Sequence, residues 1–274
     1  MIFTRQDHER LDAILREAAR REVMPRFRRL AAGDIRAKQN PVDVVTEADE
    51  AAERFICAAL AKAFPGAALI GEEAVTRDPS RLGALAQADL AFVIDPIDGT
   101  LNYASDLPLF AVMAAAVVRG ETVAAVIHDP VAGDSAMALR GEGAGLRQAD
   151  GSERDLRVAP AVAPHLMNGM ASWQYFPEPL RSAIPGRFPA FLEVGSLRCC
   201  GQEYRLAAAG RLQFLLYGVL NPWDHAPGLL LHREAGGHAR LLDGRPYSPA
   251  ERPAGLLCAP DAESWREIRA LLLG

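Results

Sequence analysis

The sequence predicts a layered α/β protein, and three observations carry that prediction. Short apolar runs bounded by glycine or proline alternate with longer segments whose apolar residues recur at helical spacing. Two of the short runs, residues 67–70 and 90–94, deliver carboxylates at their ends, where ligand chemistry gathers in such folds. The chain has 274 residues, 50% of them hydrophobic and 24% charged, enough to bury a large core as one big domain or two fused halves.

In order, residues 5–32 set Leu11, Ile14, Leu15, Ala18, Val23, Phe27 and Leu30 at helical spacing, with Pro25 bending or dividing the helix. A polar connection carrying Lys38, Asn40, Pro41 and Asp43 leads to Val44-Val45-Thr46. Thr46 is a fitting cap for a helix opening Glu47-Ala48-Asp49-Glu50, because acids in a first turn suit the positive helix end. Pro65-Gly66 stops that helix. Asp49 reads equally well as a first-turn acid and as a functional carboxylate. The strand at 67–70 then delivers Gly71-Glu72-Glu73, which is either a solvated turn or part of a strand-end site.

The chain is organised around residues 92–104, Phe-Val-Ile-Asp-Pro-Ile-Asp-Gly-Thr-Leu-Asn-Tyr-Ala. The apolar run before Asp95 is too short for a helix and is expected to end at Pro96 as a buried strand. Asp95 and Asp98 bracket a rigid turn, and Gly99-Thr100 offers unhindered amides and one hydroxyl. Two carboxylates followed by open N–H groups suit a divalent cation and the phosphate it activates. Asp-Pro and Asp-Gly are also ordinary turn pairs, so on this stretch alone both readings stand.

Further along, residues 110–118 and 122–127 read as strands joined by Arg119-Gly120-Glu121. Residues 135–139 and 156–158 extend an antiparallel sheet across a glycine-rich turn region. Proline-rich residues 159–189 mark the seam between halves, with a strand near 165–171. A helix over 201–209, a strand over 212–216 and a helix over 224–235 follow, the last ended by Gly236-Gly237. Strands near 238–242 and 256–259 and a helix over 262–273 close the chain. Asp224 falls at the loop-to-helix junction, where a capping aspartate is the simple reading and a site acid the other. His225 beside it reads as structural.

Charge and composition exclude several classes. A formal net charge of -5 gives no electrostatic reason to expect nucleic acid. The first residues lack a basic-then-apolar leader pattern, and no uncharged apolar run approaches membrane-spanning length. Cys57, Cys199, Cys200 and Cys258 show no CxxC spacing, so neither zinc nor a thioredoxin-like centre is expected. The adjacent Cys199-Cys200 reads as small apolar filling. A reduced, cytoplasmic protein is the expectation.

Four elements in order resemble the inositol monophosphatase family of magnesium-dependent, lithium-sensitive phosphatases. They are Lys38 with Asp43-Val44-Val45-Thr46-Glu47-Ala48-Asp49, Gly71-Glu72-Glu73, Asp95-Pro96-Ile97-Asp98-Gly99-Thr100 with Asn102, and Trp223-Asp224. Glu234-Ala235-Gly236-Gly237 also fits. The resemblance implies an α-β-α-β-α sandwich like that of inositol monophosphatase and fructose-1,6-bisphosphatase, commonly dimeric, with the active site between two halves. Residues 1–160 would carry most metal ligands, and 161–274 would supply Asp224 and the substrate wall of one catalytic unit.

Carried over residue by residue, Glu72, Asp95 and the carbonyl of Ile97 would hold one Mg²⁺, and Asp95, Asp98 and Asp224 a second. A third, weaker ion would lie near Glu72. The amides of Gly99 and Thr100 would grip the phosphate, and Asp49, Thr100 and Glu72 would activate the attacking water. Lys38, Gln202, Glu203, Tyr204 and Tyr217 would belong to the substrate side. There the chain departs from the inositol-specific pattern: Cys199-Cys200-Gly201 replaces small residues such as Gly-Ser-Ala, and Tyr217 stands where members tend to place an acid.

The expected activity is therefore hydrolysis of a small polyol or sugar phosphate, by a homodimer without nucleic-acid or membrane partners. The alternative substrates are a 3′(2′)-phosphonucleotide, fructose 1,6-bisphosphate and histidinol phosphate. A non-catalytic regulator of the same fold is disfavoured because every expected metal ligand and the threonine are present. A metal-free carboxylate-pair glycosidase fits the Gly-Thr amides poorly.

Overall fold

The computed structural model describes residues 3–38, 40–251 and 255–274. Helix α1 (Arg5–Ala18) passes into a π-helical turn (Ala19–Val23) that ends just before Pro25, which has no N–H to continue the ladder. Strands β1 (Ile35–Ala37) and β2 (Val44–Thr46) form a small antiparallel hairpin, and α2 (Glu47–Ala63) starts directly after it. Strand β3 (Ala68–Gly71) runs into α3 (Glu72–Arg77), and α4 (Ala84–Gln87) precedes β4 (Ala91–Asp98).

The short α5 (Thr100–Ala104) follows β4, and five strands complete the first sheet: β5 (Ala111–Val118), β6 (Glu121–Asp129), β7 (Asp134–Leu139), β8 (Gly143–Arg147) and β9 (Glu153–Asp155). The order is β3-β4-β5-β6-β7-β8-β9, parallel at β3/β4 and antiparallel from there on. The glycine-rich region expected to be a turn is therefore partly strand β8, while 156–158 lies beyond β9.

The rest of the chain builds a second sheet from β10 (Asn168–Ser172), β11 (Glu193–Gly195), β12 (Phe214–Tyr217), β13 (His238–Leu241) and β14 (Leu256–Ala259), in the order β11-β10-β12-β14-β13. Its helices are α6 (Leu180–Ala183), α7 (Cys200–Ala208), α8 (Pro222–Glu234) and α9 (Ala262–Leu273).

Side-chain alternation explains the layering. Phe92, Ile94, Val112, Ala114 and Val126 face α1 and α2, whose Leu11, Leu15, Ile56 and Leu60 fill one core. Ala111, Met113, Ala125 and Ile127 face the other way onto Tyr204, Ala207, Leu229 and Leu231 of α7 and α8, which also meet Leu215 and Leu256 of the second sheet. Phe214, Leu216 and Leu257 on that sheet's far face cover α9 through Trp265, Ile268 and Leu272. The result is an α-β-α-β-α sandwich. Since α8 lies against β4 through β8, the second half in sequence reaches across to the first sheet and carries Asp224 with it.

Candidate active site

Strand β4 does not end at Pro96. It continues to Asp98 through a bulge, because Asp95 pairs with Met113 and Asp98 with Ala111, so that Pro96 and Ile97 together oppose Val112 alone. Proline suits that position, having no N–H for the ladder. The bulge leaves Asp95 and Asp98 at one sheet end, both buried, at 2% and 8% exposure. Because β3 and β4 are parallel with Gly71 beside Ile94, Glu72 emerges next to Asp95. Gly99 then takes φ +86°, and a Cβ there would come within 3.0 Å of the Cys199 Cβ and 3.1 Å of the Leu109 carbonyl. Only glycine fits this turn without strain.

Each acid is held differently. Asp98 accepts the amides of Cys200 (3.3 Å) and Gly201 (2.5 Å) at the start of α7, and the Cys199 thiol at 3.0 Å. The cysteine pair is thus bound to the acid cluster instead of only filling space. Asp224 receives the Asn221 side-chain amide at 3.1 Å. Asn221 is the residue at the N-cap position of α8, so Asp224 is not the capping aspartate. Asp95 Oδ1 is buried with no hydrogen-bond partner. Burial first, then repulsion from Glu72, Asp98 and Asp224, raises the Asp95 carboxyl well above the usual range. Burial and Glu72 do the same to Asp224.

Asp49 serves two purposes. Its Oδ2 accepts the Thr46 amide (2.8 Å) and hydroxyl (2.5 Å), closing a capping box at the start of α2. Its Oδ1 lies 3.1 Å from the Thr100 hydroxyl, which is also 2.9 Å from the Ile97 carbonyl. Burial raises the Asp49 carboxyl to about 7, against the lowering effect of the Thr46 bonds.

Lys38 donates to Glu72 at 2.8 Å and to Glu73 at 2.6 Å. Burial works to lower its ammonium pKa, but the two glutamates outweigh burial and hold it raised. With Lys38 on Glu72 and α7 amides on Asp98, no three His, Cys, Asp or Glu side chains among the described residues form a preassembled metal cage. The donor set still fits a hard cation: oxygen ligands from four mutually repelling acids, one with an orphaned buried oxygen.

The residues expected on the substrate side all hydrogen-bond within the fold. Gln202 donates to the Phe110 carbonyl (3.0 Å) and to Asp129 (2.9 Å). Glu203 accepts the Leu197 amide at 2.8 Å and the Tyr217 hydroxyl at 2.9 Å, and Tyr204 meets His225 at 3.1 Å. All four are buried, since α7 packs between the two sheets. Glu203 supplies a carboxylate beside Tyr217, where the strand itself offers a phenol.

Glu53 was not singled out from the sequence. It accepts the Glu73 amide at 2.7 Å, and its carboxylate lies where a Cβ on Gly71 would sit, 2.3 Å away. It is four residues after Asp49 on α2, hence on the same helix face, and that spacing was the available signal.

Comparison with known protein families matches residues 7–272 to the inositol monophosphatase family. The chain belongs to that family, whose members are generally metal-dependent phosphatases. It is 34% identical over 221 residues, 75% of either chain, to the inositol-1-monophosphatase of Mesorhizobium japonicum. It is 36% identical over 205 residues, 71% of either chain, to the Nus factor SuhB of Pseudomonas aeruginosa. To the fructose-1,6-bisphosphatase/inositol-1-monophosphatase of Thermotoga maritima it is 32% identical over 209 residues, 74% of this chain and 73% of the relative. Among solved structures, a Thermotoga maritima IMPase superposes with a TM-score of 0.79 at 25% identity, covering 97% of each chain. The inositol monophosphatase II of Staphylococcus aureus gives 0.80 at 24%, covering 98% of this chain and 96% of that one. No described helix is long and apolar enough to cross a membrane.

Proposed function

We propose that this protein is a Mg²⁺-dependent phosphomonoesterase acting on a small polyol or sugar phosphate. The observation that carries the reading is the convergence of Glu72, Asp95, Asp98 and Asp224, with an unpaired buried Asp95 oxygen, beside the Gly99–Thr100 turn. Glu72, Asp95 and the Ile97 carbonyl would hold one ion, and Asp95, Asp98 and Asp224 another. When bound, Mg²⁺ supplies charge neutralisation and lowers the pKa of water.

The chain's own residues do the rest. The amides of Gly99 and Thr100 receive the phosphate at the start of α5. The Thr100 hydroxyl, between Asp49 and the Ile97 carbonyl, orients the attacking water and passes its proton toward Asp49. A carboxyl with a pKa of about 7 is well matched to accept that proton near neutrality. The water oxygen bonds to phosphorus, the ester P–O bond breaks, and the leaving alkoxide takes a proton from solvent to depart as an alcohol, with inorganic phosphate as the other product. Phosphoryl transfer depends on positioning and charge neutralisation, so a protein nucleophile is unnecessary.

Relatives named inositol-1-monophosphatase and fructose-1,6-bisphosphatase/inositol-1-monophosphatase support this chemistry. The SuhB relatives, named Nus factors, favour a second reading in which the fold also serves a protein or RNA partner. The intact acid set favours catalysis. A hydrolysis screen across phosphomonoesters, with Mg²⁺, with chelator and with Li⁺, tests the proposal. Measurable but modest activity is expected on inositol 1-phosphate, with at least one other small phosphomonoester preferred. Turnover undiminished in excess chelator, or no turnover on any ester, overturns it.

A further inference from the structure

The connection between β11 and α7, residues 196–199, covers the Gly99–Thr100 turn and is held on both sides. The Leu197 amide donates to buried Glu203 at 2.8 Å, and the Leu197 carbonyl accepts the Asn102 side chain at 2.8 Å. Glu203 is fixed in turn by Tyr217, and Asn102 belongs to α5, which begins at Thr100. On the other flank Cys199 packs on Gly99 and reaches Asp98 with its thiol.

Between these anchors stands Arg198, at φ +55°. A left-handed backbone costs an ordinary residue roughly 1–2 kcal/mol relative to its preferred region, and glycine would take it freely. The Arg198 amide donates to the Ser196 hydroxyl at 3.2 Å. The residue is exposed, and its guanidinium has no hydrogen bond or ion pair among the described residues. Lys38, the cation beside the acids, is consumed by Glu72 and Glu73. The fold thus spends a buried carboxylate, a buried amide and a strained backbone on holding the Arg198 backbone, with its exposed and unpaired guanidinium, in a connection that abuts the Gly99–Thr100 turn.

We propose that Arg198 determines specificity by binding a second anionic group, a carboxylate or another phosphate, on a substrate whose ester phosphate sits at the Gly99–Thr100 turn. The inference rests on the phosphatase reading. A planar guanidinium matches either anion bidentately. It also offsets the repulsion that an acidic site floor exerts on a substrate carrying more than one negative group, and because it is exposed its effect weakens with salt.

Two substrate pairs separate the sources. Glycerol 2-phosphate and 2-phosphoglycerate differ by a hydroxymethyl against a carboxylate, and fructose 1-phosphate and fructose 1,6-bisphosphate by one phosphate. In the wild type, kcat/KM is expected to favour the charged member of at least one pair. Arg198→Ala and Arg198→Gly should each lower that ratio by about tenfold or more at low salt, while Arg198→Lys keeps part of it. The glycine variant relieves the backbone, so equal loss in both assigns the effect to the side chain. A wild type that prefers the neutral member of both pairs, or ratios unmoved by both variants, overturns the inference. Calorimetric binding of the same four compounds distinguishes the two failures. Charge-selective binding lost in Arg198→Ala without any hydrolysis would remove the phosphatase reading and leave Arg198's role intact.

Discussion

Thr100 has one hydroxyl proton and two oxygen acceptors, Asp49 and the Ile97 carbonyl, so its rotor is set by whichever holds the proton. Replacing Thr100 by Ala removes that relay while leaving the Gly99 and Thr100 amides proposed to grip the phosphate. We expect kcat to fall by roughly 10² or more with KM little changed. Steady-state kinetics checks this, and an unchanged kcat with a large rise in KM would contradict the role. Asp95 poses the opposite case, since its buried carboxyl is repelled by Glu72, Asp98, Asp224 and Asp49. Asp95→Asn should abolish turnover and weaken Mg²⁺ binding while leaving the apo fold as stable or more so, because one like charge is removed from the cluster. Calorimetry of Mg²⁺ binding and thermal melts of the apo protein test both halves, and a variant with wild-type turnover sinks the metal assignment.

At the scale of elements, the β3–α3 junction depends on an empty place. Gly71 leaves room for the Glu53 carboxylate, which binds the Glu73 amide and so sets the first turn that carries Glu72. Gly71→Ala puts a methyl 2.3 Å from that carboxylate. The overpacking should cost about 1–3 kcal/mol and raise the Mg²⁺ concentration needed for activity. Glu53→Ala in the same background removes the clash, so the two losses should be less than additive by about 0.5 kcal/mol or more. Denaturant unfolding of the four proteins in the cycle decides it, and full additivity would mean the two groups do not meet. The short element α5 shows the same dependence on a neighbour, since Asn102 ties it to the connection that precedes α7.

For the whole molecule, pH acts through two buried sets with opposite signs. His128, His225 and His232 are lowered to about 4 by burial, so the unfolded chain takes up their protons first and stability falls as pH drops from about 6.5 toward 4. Asp49 and Glu203 are raised to about 7, also by burial. Their contribution is fully present below the unfolded carboxylate pKa of about 4 and is lost as pH rises through 7. Metal-free protein should therefore gain little stability between pH 6 and 8. Mg²⁺ requires ionised acids, so its addition should raise the Tm more at pH 8 than at pH 5.5. Equal gains at both values, measured by thermal melts, would show that the cation does not bind the titrating cluster.

Local pattern by itself determined the elements: Thr46 and Asp49 as a helix start, the apolar run before Asp95 as a buried strand, and the helix over 262–273. Those outcomes depend on neighbours within a few residues, where capping and periodicity act. Resemblance in four spaced motifs supplied the sandwich and the acids. Only the tertiary structure decided what depends on distant pairing. Pro96 ends no strand, because β5 accommodates the bulge. Gly143–Arg147 is a strand, because β7 and β9 pair with it on both sides. Gln202, Glu203 and Tyr217 find hydrogen-bond partners inside the fold, because α7 lies between two sheets that supply them. Arg198, an ordinary residue in the sequence, takes a positive φ between Leu197 and Cys199, which are anchored to α5, α7 and the Gly99–Thr100 turn. A hydrogen bond across about a hundred residues leaves no trace in local sequence, and such bonds are what aim the side chains of this site.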